Sequence, residues 1–369
     1  MATIFILGGY GLAGKLIARH LLEQSEAKII IGGRHLNKAQ AYTDQLNTDF
    51  TGNRVSAVYC NAEDGQSLRA ALHGVDLLLV ASPTTQAAQT VACAALDSKV
   101  DYLDVQYSAQ KLALLKSLVP EIEQAGRCFI TEAGFHPGLP AAIVCYAATH
   151  LDRIDTAITA GYVNMGKFMP YSDAMDELME AFQNYQAQVF KNGRWMKAGS
   201  YDIRRVDFGG EIGARQCFSM FFEELRALPE MYPTLKDVGF YISSSHWLVD
   251  WVITPLVMMG LKIAPHAARH PMSKLMWWGM QTFPKPPYMV LLKVEATGEK
   301  SGKPATFEAS ISHPDGYELT AIPVVAYLMQ YLDGSARHPG LGLMGQLAEP
   351  VRLFEDMERM GAKVTIALC

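Results

Sequence analysis

The sequence is short of positive charge. Lys and Arg number 32 against 37 Asp and Glu, a formal net charge of −5. A general nucleic-acid binder needs a cationic excess to neutralise phosphates, so that class is set aside. Cysteine is scarce and scattered. The six, at 60, 93, 128, 145, 217 and 369, form no C-x-x-C pair and no Cys/His run of metal-ligand spacing. No metal site is expected, and the thiols read as those of a reduced, cytosolic protein. No cationic stretch precedes the first apolar run, so no cleavable signal is expected and the location reads as cytoplasmic. An uninterrupted membrane span is lacking as well. The greasiest stretch, Trp247 to Pro265, is broken by Asp250, Pro255 and Lys262. What remains is a soluble globular composition, half hydrophobic and 19% charged over 369 residues. At about 150 residues per domain that length suggests two domains, each able to bury a core unaided.

Thr3 to Leu7 is a short apolar run that fits a strand buried on both faces. Gly8-Gly9-Tyr10-Gly11-Leu12-Ala13-Gly14 follows, and Leu12, Leu16, Ile17, Leu21 and Leu22 then recur at helical spacing. The G-x-G-x-x-G of Gly9, Gly11 and Gly14 therefore sits between a strand and a helix, the context a dinucleotide turn requires. In such a turn the first glycine allows the tight bend and the second lets a pyrophosphate approach bare backbone. The third lets helix and strand pack closely, and the helix N-terminus offers free amides to the phosphates. Lys28 to Ile31 reads as the next strand. An NAD site places an acid after it to hold the ribose hydroxyls; here Gly32-Gly33-Arg34 stands there, with Lys38 a helical turn further on. A guanidinium fork suits a 2′-phosphate, so the expected cofactor is NADP.

The alternation continues. Strands are expected over 54–60, 75–81, 102–105 and 128–132, and helices over 64–72, 86–96 and 109–124. The fold class is α/β, a Rossmann-type doubly wound parallel sheet, followed by an α+β second domain with a mainly antiparallel sheet. Ligands of such sheets lie beyond the carboxyl ends of the strands. That rule gathers Gly8 to Ala13, Gly33, Arg34, Lys38, Asn61, Ala81, Ser82, Pro83, Asp104 and Val105 as cofactor residues. It also places Tyr107 and the loop 134–138 near the nicotinamide.

Four blocks then resemble the saccharopine dehydrogenase-like superfamily: Gly8 to Gly14, Gly32 to Ala39, Val100 to Val105 and Ala133 to Leu139. The tail from Tyr317, a helix, a glycine-rich loop and a second helix, is similar to that family's C-terminal return to the nucleotide domain. The resemblance implies NADP- or NAD-linked oxidation or reduction, often of a C–N bond in an amino acid. Two positions depart from it. His136 stands where saccharopine-forming enzymes carry Asp, and Asn61 where an acid often follows the third strand. The implied domains are 1–140 for the dinucleotide, with 336–369 returning to it, and 141–335 for substrate and dimerisation as a homodimer.

In the second half, Ile154 to Val163 alternates like a half-exposed strand. Ser172 is placed to cap a helix whose Met175, Leu178, Met179 and Phe182 line a core face. Met289 to Thr297 and Ala305 to Ser312 read as a hairpin. Trp247 to Pro265, followed by Lys274, Trp277, Trp278 and Lys285, suits a core or dimer helix, a greasy substrate channel, or peripheral membrane contact through 247–285. For proton transfer the first candidate is His136, whose ordinary pKa lies near neutrality; Tyr107 and Asp104 come next, with Asp104 better suited to fixing a backbone turn or the amide of nicotinamide. Lys167 and Glu224 are further candidates, though Glu223-Glu224 also fits the solvated edge of a helix. Three readings stay open: a small-molecule enzyme acting on a C=N or C–N bond of an amino-acid-like or amine substrate, a membrane-associated enoyl (C=C) reductase, and a non-catalytic NADP scaffold.

Overall fold

The computed structural model describes residues 1–166, 171, 173–183, 186–199, 202–244 and 246–369, with backbone alone at 173, 174, 177, 180 and 181. The chain divides into two compact units, Met1–Gly138 with Thr320–Met360, and Leu139–Leu319 with Gly361–Cys369.

The first unit begins with six strands joined by five helical connections. The strands are β1 (Thr3–Leu7), β2 (Lys28–Gly33), β3 (Val55–Tyr59), β4 (Leu77–Val80), β5 (Asp101–Asp104) and β6 (Cys128–Thr131). Between them lie α1 (Leu12–Gln24), α2 (Leu36–Asp49), α3 (Gly65–Ala71), α4 (Ala88–Asp97), α5 (Ala109–Ser117) and α6 (Val119–Gln124). The strands pair in parallel in the order β6-β5-β4-β1-β2-β3, so the direction of winding reverses between β1 and β4. β1 and β4 are apolar at nearly every position because both of their faces are covered; Ile4, Phe5, Ile6 and Leu77 to Leu79 are fully buried. Asp64 caps α3, its carboxylate accepting from the Gln66 amide. The single helix expected over 109–124 is two, divided at Leu118, because Pro120 opens the second and has no amide to continue the first.

In the second unit α7 (Leu139–His150) is buried from Leu139 to Ala147 and packs on a nine-stranded mixed sheet. Eight of its strands are β7 (Arg153–Asn164), β8 (Gln188–Lys191), β9 (Arg194–Lys197), β10 (Ile203–Asp207), β11 (Ala214–Met220), β12 (Asp237–Ser244), β13 (Met289–Lys300) and β14 (Lys303–His313); the ninth is the last strand of the chain, over 363–368. β7 lies between β12, its parallel neighbour, and β13, with which it is antiparallel; every other pairing in the sheet is antiparallel. The expectation of a half-exposed β7 is corrected here: Ala157 to Tyr162 are all buried. On one face Ile158, Ala160 and Tyr162 join a core with Val189, Val206, Phe208 and Tyr241. The hairpin β13–β14 forms as expected, turning at Ser301-Gly302. Beside the sheet are α8 (Asp173–Gln183), α9 (Leu228–Met231), α10 (Thr254–Ile263) and α11 (Arg269–Thr282). Met175 and Met179 of α8 are buried among α10 and α11, with Leu178 and Phe182 packed against them, as their spacing predicts. Ser172 and Lys167 lie outside the described residues.

The chain then returns to the first unit through α12 (Glu318–Leu332), β15 (Gly340–Leu343), α13 (Met344–Leu347) and α14 (Pro350–Arg359), and ends in β16 (Lys363–Leu368). β15 adds a seventh parallel strand beside β6, where the sequence suggested only a glycine-rich loop. β16 instead pairs with β14 in the second sheet. The return is anchored on buried Asp101 at the start of β5. Its carboxylate accepts from the Tyr331 hydroxyl and the Arg337 guanidinium, both at 2.7 Å. Burial, and next the Asp101 charge, push the Tyr331 phenol well above its ordinary pKa.

Candidate functional site

The turn between β1 and α1 is built around glycine for steric reasons. Gly8 has φ of +84°, and a Cβ there would stand 2.6 Å from Ser82 Cβ and 2.9 Å from the Ala81 carbonyl oxygen. The strained bend is therefore at Gly8, one residue before the G-x-G-x-x-G. A Cβ at Gly14 would meet the Gly8 carbonyl oxygen at 2.4 Å, the close helix–strand packing expected of the third glycine. The Gly11 amide donates to the Gly8 carbonyl at 2.8 Å, and the first helical bond runs from the Lys15 amide to the Gly11 carbonyl at 3.0 Å. The amides of Leu12, Ala13 and Gly14 precede that bond and have no carbonyl of their own helix to donate to. They open beyond the carboxyl ends of β1 and β4, at the point where strand order reverses.

The neighbouring strand supplies cations. Gly33 ends β2, and Arg34 and Lys38 are exposed, with no hydrogen bond or ion pair to either side chain among the described residues. Tyr10 lies against Gly33, and its hydroxyl accepts from the His35 amide at 3.2 Å. The glycine turn is thus tied to the loop that presents Arg34. Asn61 has a local duty: its side-chain oxygen accepts from the Glu63 amide at 3.2 Å and its amide donates to Ser67 Oγ at 3.1 Å.

At the ends of β4 and β5 the sequence reading named Ala81, Ser82, Pro83, Asp104, Val105 and Tyr107, and missed the residues that lock them together. Asp104 is fully buried. One oxygen accepts from the Tyr102 hydroxyl at 2.7 Å and Thr131 Oγ1 at 2.8 Å. The other accepts from Lys111 Nζ at 2.5 Å, the Gln106 amide at 3.1 Å and the Glu132 amide at 3.4 Å. Lys111, also buried, donates to the Gln106 carbonyl at 2.6 Å. Gln106 in turn donates from its side chain to the Ser82 carbonyl at 2.6 Å and to Thr84 Oγ1 at 3.1 Å. Asp104 is accordingly a hub joining the ends of β4, β5 and β6, and through the Gln106 amide it fixes a backbone turn. Tyr107, three residues beyond β5, is half-buried.

His136 follows β6, its ring stacked on Phe135 with centroids 3.7 Å apart. Desolvation pulls its pKa down to about 3. Desolvation thus favours the neutral imidazole over the imidazolium, against the expectation of a group titrating near neutrality. Glu224 belongs to the second unit and is fully buried in a short turn, Glu223–Leu225, so it is no solvated helix edge; Glu223 pairs with Arg226.

Comparison with known proteins agrees with this geometry. Residues 4–129 match the saccharopine dehydrogenase NADP binding domain family. The chain is 24% identical to carboxynorspermidine synthase of Vibrio cholerae, over 96% of this chain and 94% of that one. It is also 24% identical to carboxyaminopropylagmatine dehydrogenase of Synechocystis, over 68% and 64%. Apo saccharopine dehydrogenase (L-Glu forming) of Saccharomyces cerevisiae shares the fold across the whole of both chains, with a TM-score of 0.69 at 13% identity. The protein is an NADP-dependent oxidoreductase. Residues 4–129 carry the NADP-binding domain that the family model describes.

Proposed function

We propose that the protein reduces a carbon–nitrogen double bond to a single bond on an amine that carries a carboxylate, and catalyses the reverse oxidation. The observation that carries the cofactor half is the glycine turn with unpaired helix amides beside an exposed, unpartnered Arg34. The names of the two relatives, a carboxylated norspermidine and a carboxylated aminopropylagmatine, support the amine half.

When bound, NADPH would supply the hydride for reduction, and NADP+ would accept it in the reverse oxidation. The residues present fit that cofactor. The amides after Gly11 would hold the pyrophosphate, and Arg34 with Lys38 the 2′-phosphate. Tyr10 would border the adenine-side ribose. The Asp104–Lys111–Gln106 lock holds the Ser82 carbonyl, and would thereby position Ser82 and Pro83 for the nicotinamide. Reduction of C=N needs a hydride on carbon and a proton on nitrogen. Tyr107 would carry that proton, and neutral His136 would serve as a hydrogen-bonding partner at the same end.

Loss of NADPH absorbance, measured with a polyamine paired with an aldehyde-bearing amino acid, tests this reading. The expected product has the mass of the two reactants less water plus two hydrogens. Oxidation of NADPH only with an α,β-unsaturated acyl lipid would put the enoyl-reductase reading in its place. NADPH binding with no turnover on any pair would put the scaffold reading there.

A further inference from the structure

The helical part of the second unit bears an apolar surface that the fold leaves uncovered. A π-helical turn, Val249–Ile253, runs directly into α10, making one helical rod from 249 to 263. Its inner side, Val249, Ile253, Val257 and Leu261, is buried in the core shared with α8 and α11. Its outer side carries Trp251, Val252, Leu256, Met259 and Ile263, joined by Trp278 of α11. Each is at least 45% open to solvent, and Ile263 reaches 76%. A helix that is apolar all round belongs inside a protein or a membrane rather than in water. Among the described residues no helix is long and apolar enough to cross a bilayer, so this face is one that docks.

Charge identifies what it docks on. Between His246 and Tyr288 stand Lys262, Arg269, Lys274 and Lys285 against a single acid, Asp250, while α8 alongside brings Asp173, Asp176, Glu177 and Glu180, of which Asp176 pairs with His270 at 3.7 Å. Asp250 is turned inward, accepting from the Ser244 amide at 3.1 Å and from the Ser243 hydroxyl at 3.4 Å. Arg269 is half-buried and donates to the Asp176 carbonyl at 3.2 Å, so the exposed cations beside the apolar face are the three lysines, Lys262, Lys274 and Lys285. Lys262 follows Met259 by three residues and Lys274 precedes Trp278 by four, so each ammonium shares a helix face with a solvated apolar side chain. Lys262, Lys274 and Lys285 have no ion pair among the described residues. A second copy paired through this face about a two-fold axis would set a cationic surface against itself. An anionic bilayer complements both features: apolar side chains enter the acyl boundary, indoles sit at the headgroup level and ammonium groups meet the phosphates.

We infer that the face formed by 249–263 and Trp278 docks the protein reversibly on an anionic lipid surface. Co-sedimentation of the full chain with phosphatidylcholine vesicles, with and without a third of phosphatidylglycerol, tests this. The protein should pellet with the anionic vesicles, be released by added salt, and shift its tryptophan emission to the blue on binding. Lys262→Glu with Lys274→Glu, and separately Met259→Ser with Ile263→Ser, should each weaken vesicle binding by roughly tenfold or more and leave NADPH affinity unchanged. Absence of vesicle binding, or equal binding to neutral and anionic vesicles, overturns the inference. So does a solution dimer that Met259→Ser with Ile263→Ser dissociates, which would make a second copy the occupant.

Discussion

Asp104 places five donors on two carboxylate oxygens and exposes none of its surface. Removing its charge leaves the Lys111 ammonium buried without a counter-charge. Asp104→Asn is expected to cost about 3–5 kcal/mol in denaturant unfolding, with Asp104→Asn/Lys111→Met recovering much of that loss in a double-mutant cycle. His136 makes a prediction about pH. Its folded pKa of about 3 lies below the ordinary 6.5, so the unfolded chain takes up a proton that the folded chain refuses. This contribution to stability is complete above pH 6.5 and declines as pH falls toward 3. Unfolding at a series of pH values should show that slope, and His136→Gln should flatten it; an unchanged slope would show that the ring is solvated in solution. Arg34 was legible because an expected acid was missing from a known offset. The Asp104 position and its hold on a backbone turn were legible from strand-end logic, but its long-range partners were not. Lys111 reads as a surface lysine on a helix, and no pattern in sequence announces that its ammonium is buried against a carboxylate 7 residues back.

Among the elements, the β1–α1 turn carries the sharpest steric condition. Gly14→Ala would drive a methyl group to within 2.4 Å of the Gly8 carbonyl oxygen. It is expected to lower stability by about 1–3 kcal/mol and NADPH affinity by about tenfold or more, read by thermal unfolding and cofactor titration. Wild-type affinity in that variant would mean that the turn gives way freely. The elements found from sequence are those with strong periodicity. β1 and β4 are apolar runs enclosed on both faces, and α3 has its capping Asp64. β15 escaped because two of its four residues are glycine and its pairing with β6 spans more than two hundred residues. β7 looked half-exposed because Thr156 and Thr159 read as polar. Yet buried Thr159 donates its hydroxyl to the Gly239 carbonyl on β12, a long-range partner that local alternation does not reveal.

For the whole molecule, composition and alternation were enough to give a parallel dinucleotide-binding sheet followed by a second, mainly antiparallel one. They were not enough to show that Thr320–Met360 packs with the first unit while the last strand stays with the second. Those allegiances rest on the Asp101 hub and on edge pairing, both non-local. Fluorescence titration of the intact protein with NADPH and NADH, in the wild type and in Arg34→Glu, tests the NADP assignment most directly. The wild type should bind NADPH tighter than NADH by about 10- to 100-fold, the worth of one or two charge-assisted hydrogen bonds. Arg34→Glu should abolish or invert that preference. Equal or tighter binding of NADH by the wild type would contradict the assignment of Arg34 to the 2′-phosphate.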